Sequence, residues 1–168
     1  MVQRRRVGQI IAIDPGTTHT GMVYMTTQGS VLDVDTANFY KALNTDNEAL
    51  IIRCTLIWLR ISAFLESHPH SMVVIEGYKP YGGMRVARAT SHQTPWLIGH
   101  ITACLGAAGE PFTVQLSDAV LRKNRGGMGC VLEGLKDGSV KFNGSNLLSN
   151  EHLRTAAMHG LYYVRNRH

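Results

Sequence analysis

The sequence predicts an α/β fold in which a mixed five-stranded sheet carries helices on both faces. Three strand patterns follow one another at the start of the chain, and helices and strands then alternate. Successive strands can pair in antiparallel fashion, whereas strands separated by helices are typical of parallel pairing. The length of 168 residues suits one core, so we assign residues 1–168 to a single domain.

Five segments have the apolar content and the length of β-strands. They lie at residues 7–14, 21–27, 30–35, 72–76 and 112–116. The Gln28-Gly29 step between the second and third segments is typical of a hairpin turn. The first three strands are therefore expected to form an antiparallel unit.

Four helices complete the predicted fold. The first is opened by a capping box at residues 45–48 and ends near Ser67. The others span about 95–108, 117–123 and 150–164. Ser149 is the predicted N-cap of the last helix. Residues 77–90, rich in glycine, aromatic and basic residues, are expected to form a mobile loop, and residues 125–148 an irregular segment.

Composition and charge narrow the class of protein. The hydrophobic content of 44% excludes a disordered chain, and no apolar run approaches the roughly 20 residues that span a bilayer. We therefore expect no membrane partner. The net charge of +5 and the pI near 9.3 favour a polyanionic partner. The three widely spaced cysteines are typical of a reducing compartment, so we expect a cytoplasmic protein.

Two of the predicted strands end in an acidic residue. Asp14 closes an apolar run and precedes Pro15-Gly16, and Glu76 closes a second apolar run. A single aspartate before such a turn is more often a turn former that bonds its own backbone. The repetition instead indicates neighbouring strands that bring the carboxylates of Asp14 and Glu76 together. Two carboxylates this close require a cation between them.

The start of the last predicted helix holds a second group of polar residues. At about 100° per residue, Glu151, His152 and Thr155 share one face of its first turns. The helix dipole disfavours a charged histidine there, and neutral imidazole is the form that binds metals. A surface histidine without a function is the alternative interpretation of His152.

These features resemble the RuvC family of Holliday junction resolvases. The shared motifs are Ile-Asp-Pro-Gly-Thr around Asp14, Val-Ile-Glu-Gly around Glu76, and a C-terminal helix that opens with an acid and a histidine. The resemblance covers nearly the whole chain and implies a ribonuclease H-like fold. The chain is similar in particular to phage-borne members of the family, in which the last helix often reads His-x-x-Asp-Ala. His152 falls on the first position of that motif.

The resemblance implies metal-dependent cleavage of DNA by a homodimer that nicks two opposed strands of a four-way junction. Two Mg²⁺ ions about 4 Å apart would bracket the scissile phosphate, and Mn²⁺ could substitute. Asp14 would bridge the ions, Glu76 would bind one, and His152 with Glu151 would hold the other. His152 could alternatively orient or deprotonate the attacking water.

Thr155 departs from the family motif because it stands where the last catalytic aspartate is expected. A hydroxyl group cannot replace the charge of a carboxylate at a divalent metal. Three explanations remain open: a substitution that slows or inactivates the enzyme, compensation by Glu151, or a protein that binds junctions with weak cleavage. The first two are preferred.

The candidate DNA contacts combine aromatic rings, which stack on bases, with cations, which bind phosphates. The first group would reach the junction centre and consists of Tyr78, Lys79, Tyr81, Arg85 and Arg88. The second would contact the duplex arms and consists of Arg122, Lys123 and Arg125. Solvated surface charge is the alternative for both. The helix at 95–108, with Trp96 and small residues, is the candidate dimer contact, although Trp96 could equally be a core residue.

Two other classes compete with a junction resolvase. The segment Asp-Pro-Gly-Thr-Thr at 14–18 also resembles the first phosphate motif of actin-like and sugar-kinase ATPases. Those proteins need a duplicated domain to enclose the nucleotide, and 168 residues are too few, so we expect no nucleotide cofactor. A junction-binding protein without cleavage and a nuclease for other branched DNA are the remaining alternatives.

Overall fold

A mixed five-stranded sheet lies at the centre of the protein, which confirms the predicted fold class. Its strands are β1 (Gln9–Asp14), β2 (His19–Thr26), β3 (Val31–Asn38), β4 (Met72–Gly77) and β5 (Phe112–Leu116). They are arranged in the order β3-β2-β1-β4-β5. The pairs β1–β2 and β2–β3 are antiparallel, whereas β4 runs parallel to both β1 and β5. This computed structural model describes residues 8–39, 47–78, 92–122 and 150–166.

Four helices in these ranges cover the two faces of the sheet. They are α1 (Asn47–Ser67), α2 (Gln93–Ala108), α3 (Ser117–Leu121) and α4 (Glu151–Arg165). One hydrophobic core lies between the sheet and α1 with α2, and a second lies between the opposite face and α3 with α4. We call these the α1/α2 face and the α4 face. In these four ranges no helix combines the length and the apolar character needed to cross a membrane.

Strand β1 supplies both cores because successive side chains of a strand point to opposite faces. Ile11 and Ile13 are buried against α1 and α2, and Ile10 and Ala12 are buried against α4. Asp14 continues the second series and therefore belongs to the α4 face.

Several predicted boundaries differ from those observed. Helix α2 begins at Gln93 rather than Pro95, because proline in the first turn of a helix loses no hydrogen bond. The predicted cap Ser149 is wrong: Asn150 is the N-cap of α4, and its side chain accepts hydrogen bonds from the backbone N–H groups of His152 and Leu153. The rest of the capping box before residue 47 lies outside the described residues, as do the predicted loops beyond Tyr78 and Arg122.

Helix α4 lies close to the sheet because small residues face it. A Cβ atom added at Gly160 would lie 2.3 Å from Met25 Sδ and 3.2 Å from Ala12 Cβ. Ala156 and Ala157 are fully buried in the same interface. This short separation brings the first turn of α4 next to the carboxyl ends of β1 and β4.

Candidate active site

Asp14 and Glu76 lie side by side at the carboxyl ends of two parallel strands. Ile13 of β1 pairs with Ile75 of β4, so the next residue of each strand occupies equivalent positions. The two carboxyl groups are close enough for each to shift the pKa of the other. Asp14 is only 8% exposed, and Glu76 is half-buried. The structure therefore brings the two carboxyl groups together, as the sequence predicted, and the chemical role of each stays a prediction.

The surroundings affect the two carboxyl groups in opposite directions. Burial, together with the charge of Glu76, raises the pKa of Asp14 to about 7. Burial also disfavours the charged form of Glu76, but favourable interactions with the nearby His159, Asp14 and Ser117 outweigh this effect and lower the pKa of Glu76 to about 2. The pair therefore shares one proton at mildly acidic pH, with the negative charge on Glu76.

His152 joins the pair from the first turn of α4. Its Nδ1 atom lies 2.9 Å from Asp14 Oδ2. This hydrogen bond raises the pKa of His152, against the opposing effect of burial. The capping side chain of Asn150 binds the backbone N–H of His152 at 2.9 Å, which fixes the turn that carries the imidazole.

Gly21 allows this approach of α4 to the sheet. It pairs with Asp14 across the β1–β2 ladder. A Cβ atom at Gly21 would lie 2.6 Å from both the carbonyl carbon and the carbonyl oxygen of His152. Any side chain at this position would therefore push the first turn of α4 away from the carboxylates.

The turn after Asp14 is closed by a threonine rather than by the aspartate. Thr20 Oγ1 donates to the carbonyl oxygen of Gly16 at 2.9 Å and accepts from its N–H at 3.3 Å. Asp14 is therefore not needed to close this turn, and its carboxylate faces His152 and Glu76 instead.

The sequence analysis missed two residues that contact Glu76. Ser117, the first residue of α3, donates its hydroxyl hydrogen to Glu76 Oε1. His159 of α4 is 0% exposed, and its Nε2 atom lies 3.7 Å from the same oxygen. The signal for His159 was its position two helical turns after His152, a polar residue among the small apolar residues that pack on the sheet.

A third histidine lies at the rim of this group. His19, the first residue of β2, is exposed, and its ring centroid is 5.7 Å from that of His152. Its Nδ1 atom is 3.0 Å from Asn38 Oδ1, which orients the ring. This contact could not be predicted from the sequence, since it depends on the pairing of β2 with β3.

The remaining predicted site residues fall into three positions. Thr155 is buried one turn after His152, and Glu151 is exposed at the start of α4, where its charge acts on His152. Tyr78 is half-buried directly after β4, and Arg122 is exposed with Nη2 3.0 Å from Asp118 Oδ2. The others lie outside the described residues: Lys79, Tyr81, Arg85, Arg88, Lys123 and Arg125. The roles of all these residues stay predictions.

A divalent cation needs several hard oxygen or nitrogen ligands around one point. Within the described ranges, no three His, Cys, Asp or Glu side chains stand in an arrangement that would hold a metal ion. The paired carboxyl groups of Asp14 and Glu76 nevertheless fit such an ion. They are hard oxygen donors close enough to shift each other's pKa, and burial opposes the charge on Asp14 unless a cation or a proton accompanies it.

Comparisons with known proteins identify the fold. No family model and no curated protein matches the sequence. The solved structure of Thermus thermophilus RuvC has a TM-score of 0.66 and 18% identity over 94% of this chain and 95% of that chain. The same protein in complex with a Holliday junction substrate has a TM-score of 0.65 and 17% identity over the same shares.

A third solved structure, the yeast mitochondrial Holliday junction resolvase Ydc2, is more distant. It has a TM-score of 0.58 and 14% identity over 98% of this chain and 80% of that chain. At such low identities the likeness concerns the fold and does not distinguish the phage-like group. The protein has the ribonuclease H-like fold of RuvC, with Asp14 and Glu76 at the carboxyl ends of its central parallel strands.

Proposed function

We propose that this protein is a metal-dependent endonuclease that resolves four-way DNA junctions. The observation that carries the proposal is the proximity of Asp14 and Glu76 at the ends of adjacent parallel strands, with a hydrogen bond between His152 and Asp14. The RuvC-like fold, the positive net charge and the junction bound by one structural neighbour support it. The particular RuvC group that we propose is the phage-like one.

The chemistry follows from the charges of the site. Asp14 and Glu76 would bind Mg²⁺, two ions per site on the RuvC pattern, with His152 and Glu151 as further ligands and Mn²⁺ as a substitute. The metal supplies Lewis-acid activation of water and stabilisation of charge on the phosphate. Without a metal, and at a pH below about 7, Asp14 holds the proton of the buried pair. His152 orients the Asp14 carboxylate through Nδ1, which limits the positions that a ligand of Asp14 can take.

The decisive experiment compares nicking of a synthetic four-way junction with nicking of a linear duplex of the same sequence, in Mg²⁺ and in Mn²⁺. Asp14→Asn and Glu76→Gln should each lower the nicking rate by at least a factor of about 1,000, since each removes a charged ligand. Junction binding measured in Ca²⁺ should persist. Glu66→Gln, at an exposed position of α1, is the matched control and should cleave normally.

The same assay separates the alternatives. Undiminished cleavage by Asp14→Asn or Glu76→Gln would remove that residue from the site. Junction binding without products by the unmodified protein would indicate a binding protein, the interpretation that the neutral Thr155 favours. Faster cutting of flaps than of four-way junctions would change the substrate but not the chemistry.

Thr155 provides a second test of the same site. If its position is a vacant ligand site, Thr155→Asp should raise the nicking rate. If Glu151 already supplies the missing charge, Thr155→Asp should give no gain and Glu151→Gln should lose activity. A variant with both changes distinguishes the two arrangements: its nicking rate should match that of Thr155→Asp in the first and that of Glu151→Gln in the second.

DNA contacts are proposed for the two basic groups. Two variants test them: Arg122→Ala alone, and Lys79→Ala combined with Arg85→Ala. Each should weaken junction binding and reduce the slope of log K against log salt concentration by about one for each lost phosphate contact. An unchanged slope would contradict the assignment. We also propose a cytoplasmic location and no nucleotide cofactor.

A homodimer completes the proposal. Trp96 is 51% exposed on α2, and an added Cβ at Gly99, three residues later, would meet no atom of the described residues within 4 Å. An exposed aromatic residue beside small residues suits a helix contact between subunits. Trp96→Glu should convert a dimer to a monomer in sedimentation experiments. Leu32→Glu, at a position 49% exposed on β3, should leave the dimer intact.

A further inference from the structure

We propose that His159 is a positioning residue for Glu76, which it holds from the protein interior by a hydrogen bond from Nε2 to the carboxylate. The inference rests on the proposed function, in which Glu76 is a metal ligand. It goes beyond that function because it assigns a role to a residue that does not reach the substrate side of the site.

The first argument is the unpartnered ring nitrogen. His159 is 0% exposed, and among the described residues its buried Nε2 atom has no hydrogen-bond partner. Glu76 Oε1 lies 3.7 Å from this atom, slightly beyond hydrogen-bond length. Hydrogen bonds of catalytic groups are often long in ligand-free proteins and shorten when the site is loaded. A movement of less than 1 Å would complete the contact.

The second argument is that the other ring nitrogen is already anchored. Nδ1 of His159 lies 3.2 Å from Gln115 Oε1. Gln115 pairs with Glu76 across the β4–β5 ladder, so the anchor and the target belong to neighbouring positions of the sheet. When the Gln115 amide is turned so that its nitrogen donates to Nδ1, the neutral ring carries its hydrogen on Nε2, the atom that faces the carboxylate.

The third argument is convergence on one oxygen atom. Ser117 donates to Glu76 Oε1, which is also the oxygen nearest to His159 Nε2. A carboxylate held at Oε1 by two donors has a fixed plane, and Oε2 is left for a ligand. Partners of this kind behind a metal-binding carboxylate or imidazole orient it and tune its affinity.

Packing alone gives no reason for a histidine at this position. Its neighbours along α4 are Met158 and Gly160, and both are fully buried. A leucine would supply similar volume without burying a polar nitrogen. The polar ring is explained if it serves the carboxylate that it faces.

Two substitutions separate the two nitrogen atoms of the ring. The amide nitrogen of glutamine reaches about as far as histidine Nε2, whereas that of asparagine reaches only as far as Nδ1. His159→Gln should therefore keep the contact with Glu76, and His159→Asn should lose it while keeping the contact with Gln115. His159→Leu is the apolar control for packing.

The readout is the affinity for Mn²⁺ in the absence of DNA. It is measured from the electron paramagnetic resonance signal of free Mn²⁺. His159→Asn and His159→Leu should weaken binding by a factor of about 10 or more, and His159→Gln by no more than about threefold. The kcat for junction nicking should follow the same order, and KM should change little because the residue does not contact DNA. Equal losses for all three variants, in proportion to their thermal stability, would overturn the proposal.

A metal-free measurement keeps the two proposals distinguishable. In the nitrogen-15 spectrum of the unloaded protein, the Nε2–H resonance of His159 should be protected from exchange and should shift in Glu76→Gln. An unshifted resonance overturns the role of His159 whatever the enzyme does. If the resonance shifts but Glu76→Gln binds Mn²⁺ and cleaves junctions normally, the contact is real and the proposed function fails.

Discussion

The two faces of the sheet differ in what their helices bring to it. On the α1/α2 face the helices contribute large, fully buried side chains, among them Ile61 of α1 and Leu105 of α2. On the α4 face the helix contributes small residues such as Ala156 and Gly160, and polar residues at its N-terminal end. A thick apolar layer stabilises the fold, and a thin layer allows helical side chains to reach the strand ends. Large buried residues on the α1/α2 face thus stabilise the fold, and small residues on the α4 face allow the candidate site to form.

The largest effect on stability is therefore expected on the α1/α2 face. Ile61→Ala should lower the free energy of unfolding by about 3 kcal/mol, because it leaves a cavity among fully buried side chains. Urea denaturation measures the change. Nicking per folded molecule should be unchanged, since no residue of the candidate site is contributed by α1.

The control on the same helix is Leu59→Ala. Leu59 is 58% exposed, so its truncation should change stability by no more than about 0.5 kcal/mol. If Ile61→Ala abolished nicking by the folded protein, the α1/α2 face would contribute to activity as well as to stability, which would contradict the comparison.

On the α4 face the largest structural effect is expected at Gly21. A methyl group there would overlap the backbone of His152, with a Cβ distance of 2.6 Å, and the helix or the strand must move. Gly21→Ala should cost about 2 kcal/mol, the usual range for overpacking, and should also reduce nicking because His152 moves away from Asp14. Differential scanning calorimetry and the junction assay measure the two losses.

Gly99→Ala is the matched glycine substitution away from the site. Its added Cβ meets no atom within 4 Å, and alanine has the higher helix propensity. Stability should rise by about 0.5–1 kcal/mol. Equal losses for the two alanine variants would show that the close approach at Gly21 has no special importance.

The pH dependence of stability should carry the signature of the buried carboxyl pair in metal-free protein. Asp14 has its pKa raised from 3.8 to about 7, so between these values the folded state retains a proton that the unfolded state releases. Its contribution therefore becomes less favourable as the pH rises from 4 to 7. Glu76 has the opposite sign: its pKa is lowered to about 2, so its stabilisation is present above 4.5 and is lost as the pH falls towards 2.

Asp14→Asn tests this assignment in the presence of a chelator. The variant carries no titrating group at position 14, so its unfolding free energy should rise relative to that of the unmodified protein between pH 4 and pH 8. We expect a gain of about 1–2 kcal/mol at pH 8, less than the full shift corresponds to because the asparagine loses part of the hydrogen bonding to His152. Parallel pH profiles of the two proteins would contradict a raised pKa at Asp14.

The strand ends could be predicted from the sequence because the signal there is local. A run of apolar residues closed by an acid determines both the strand and the face of its last side chain, as for Asp14 and Glu76. The approach of α4 was less accessible, since it depends on Gly21 and Gly160, two glycines that have no special local pattern.

The contacts behind Glu76 could not be predicted for a related reason. His159 is one of eight histidines in the chain, and its place in a buried stripe of α4 does not by itself distinguish it from the others. Its partner Gln115 belongs to a strand that pairs only in the folded protein. The cap of α4 was misplaced by one residue because Ser149 and Asn150 are both good capping residues, and only the backbone geometry distinguishes them.

The smallest expected effect concerns that cap. The Asn150 side chain accepts from two backbone N–H groups of the first turn of α4, and Asn150→Ala should cost about 1 kcal/mol of stability. Nicking should fall more than stability suggests, because this turn carries His152 to Asp14. Asn166→Ala is the control at the opposite end of the helix, where the side chain donates to the carbonyl of Tyr162 at 2.8 Å. Equal losses of nicking in the two variants would mean that the order of the first turn does not matter for the carboxylates. A loss of nicking confined to Asn150→Ala would show that the N-cap of α4 is needed to hold His152 beside Asp14.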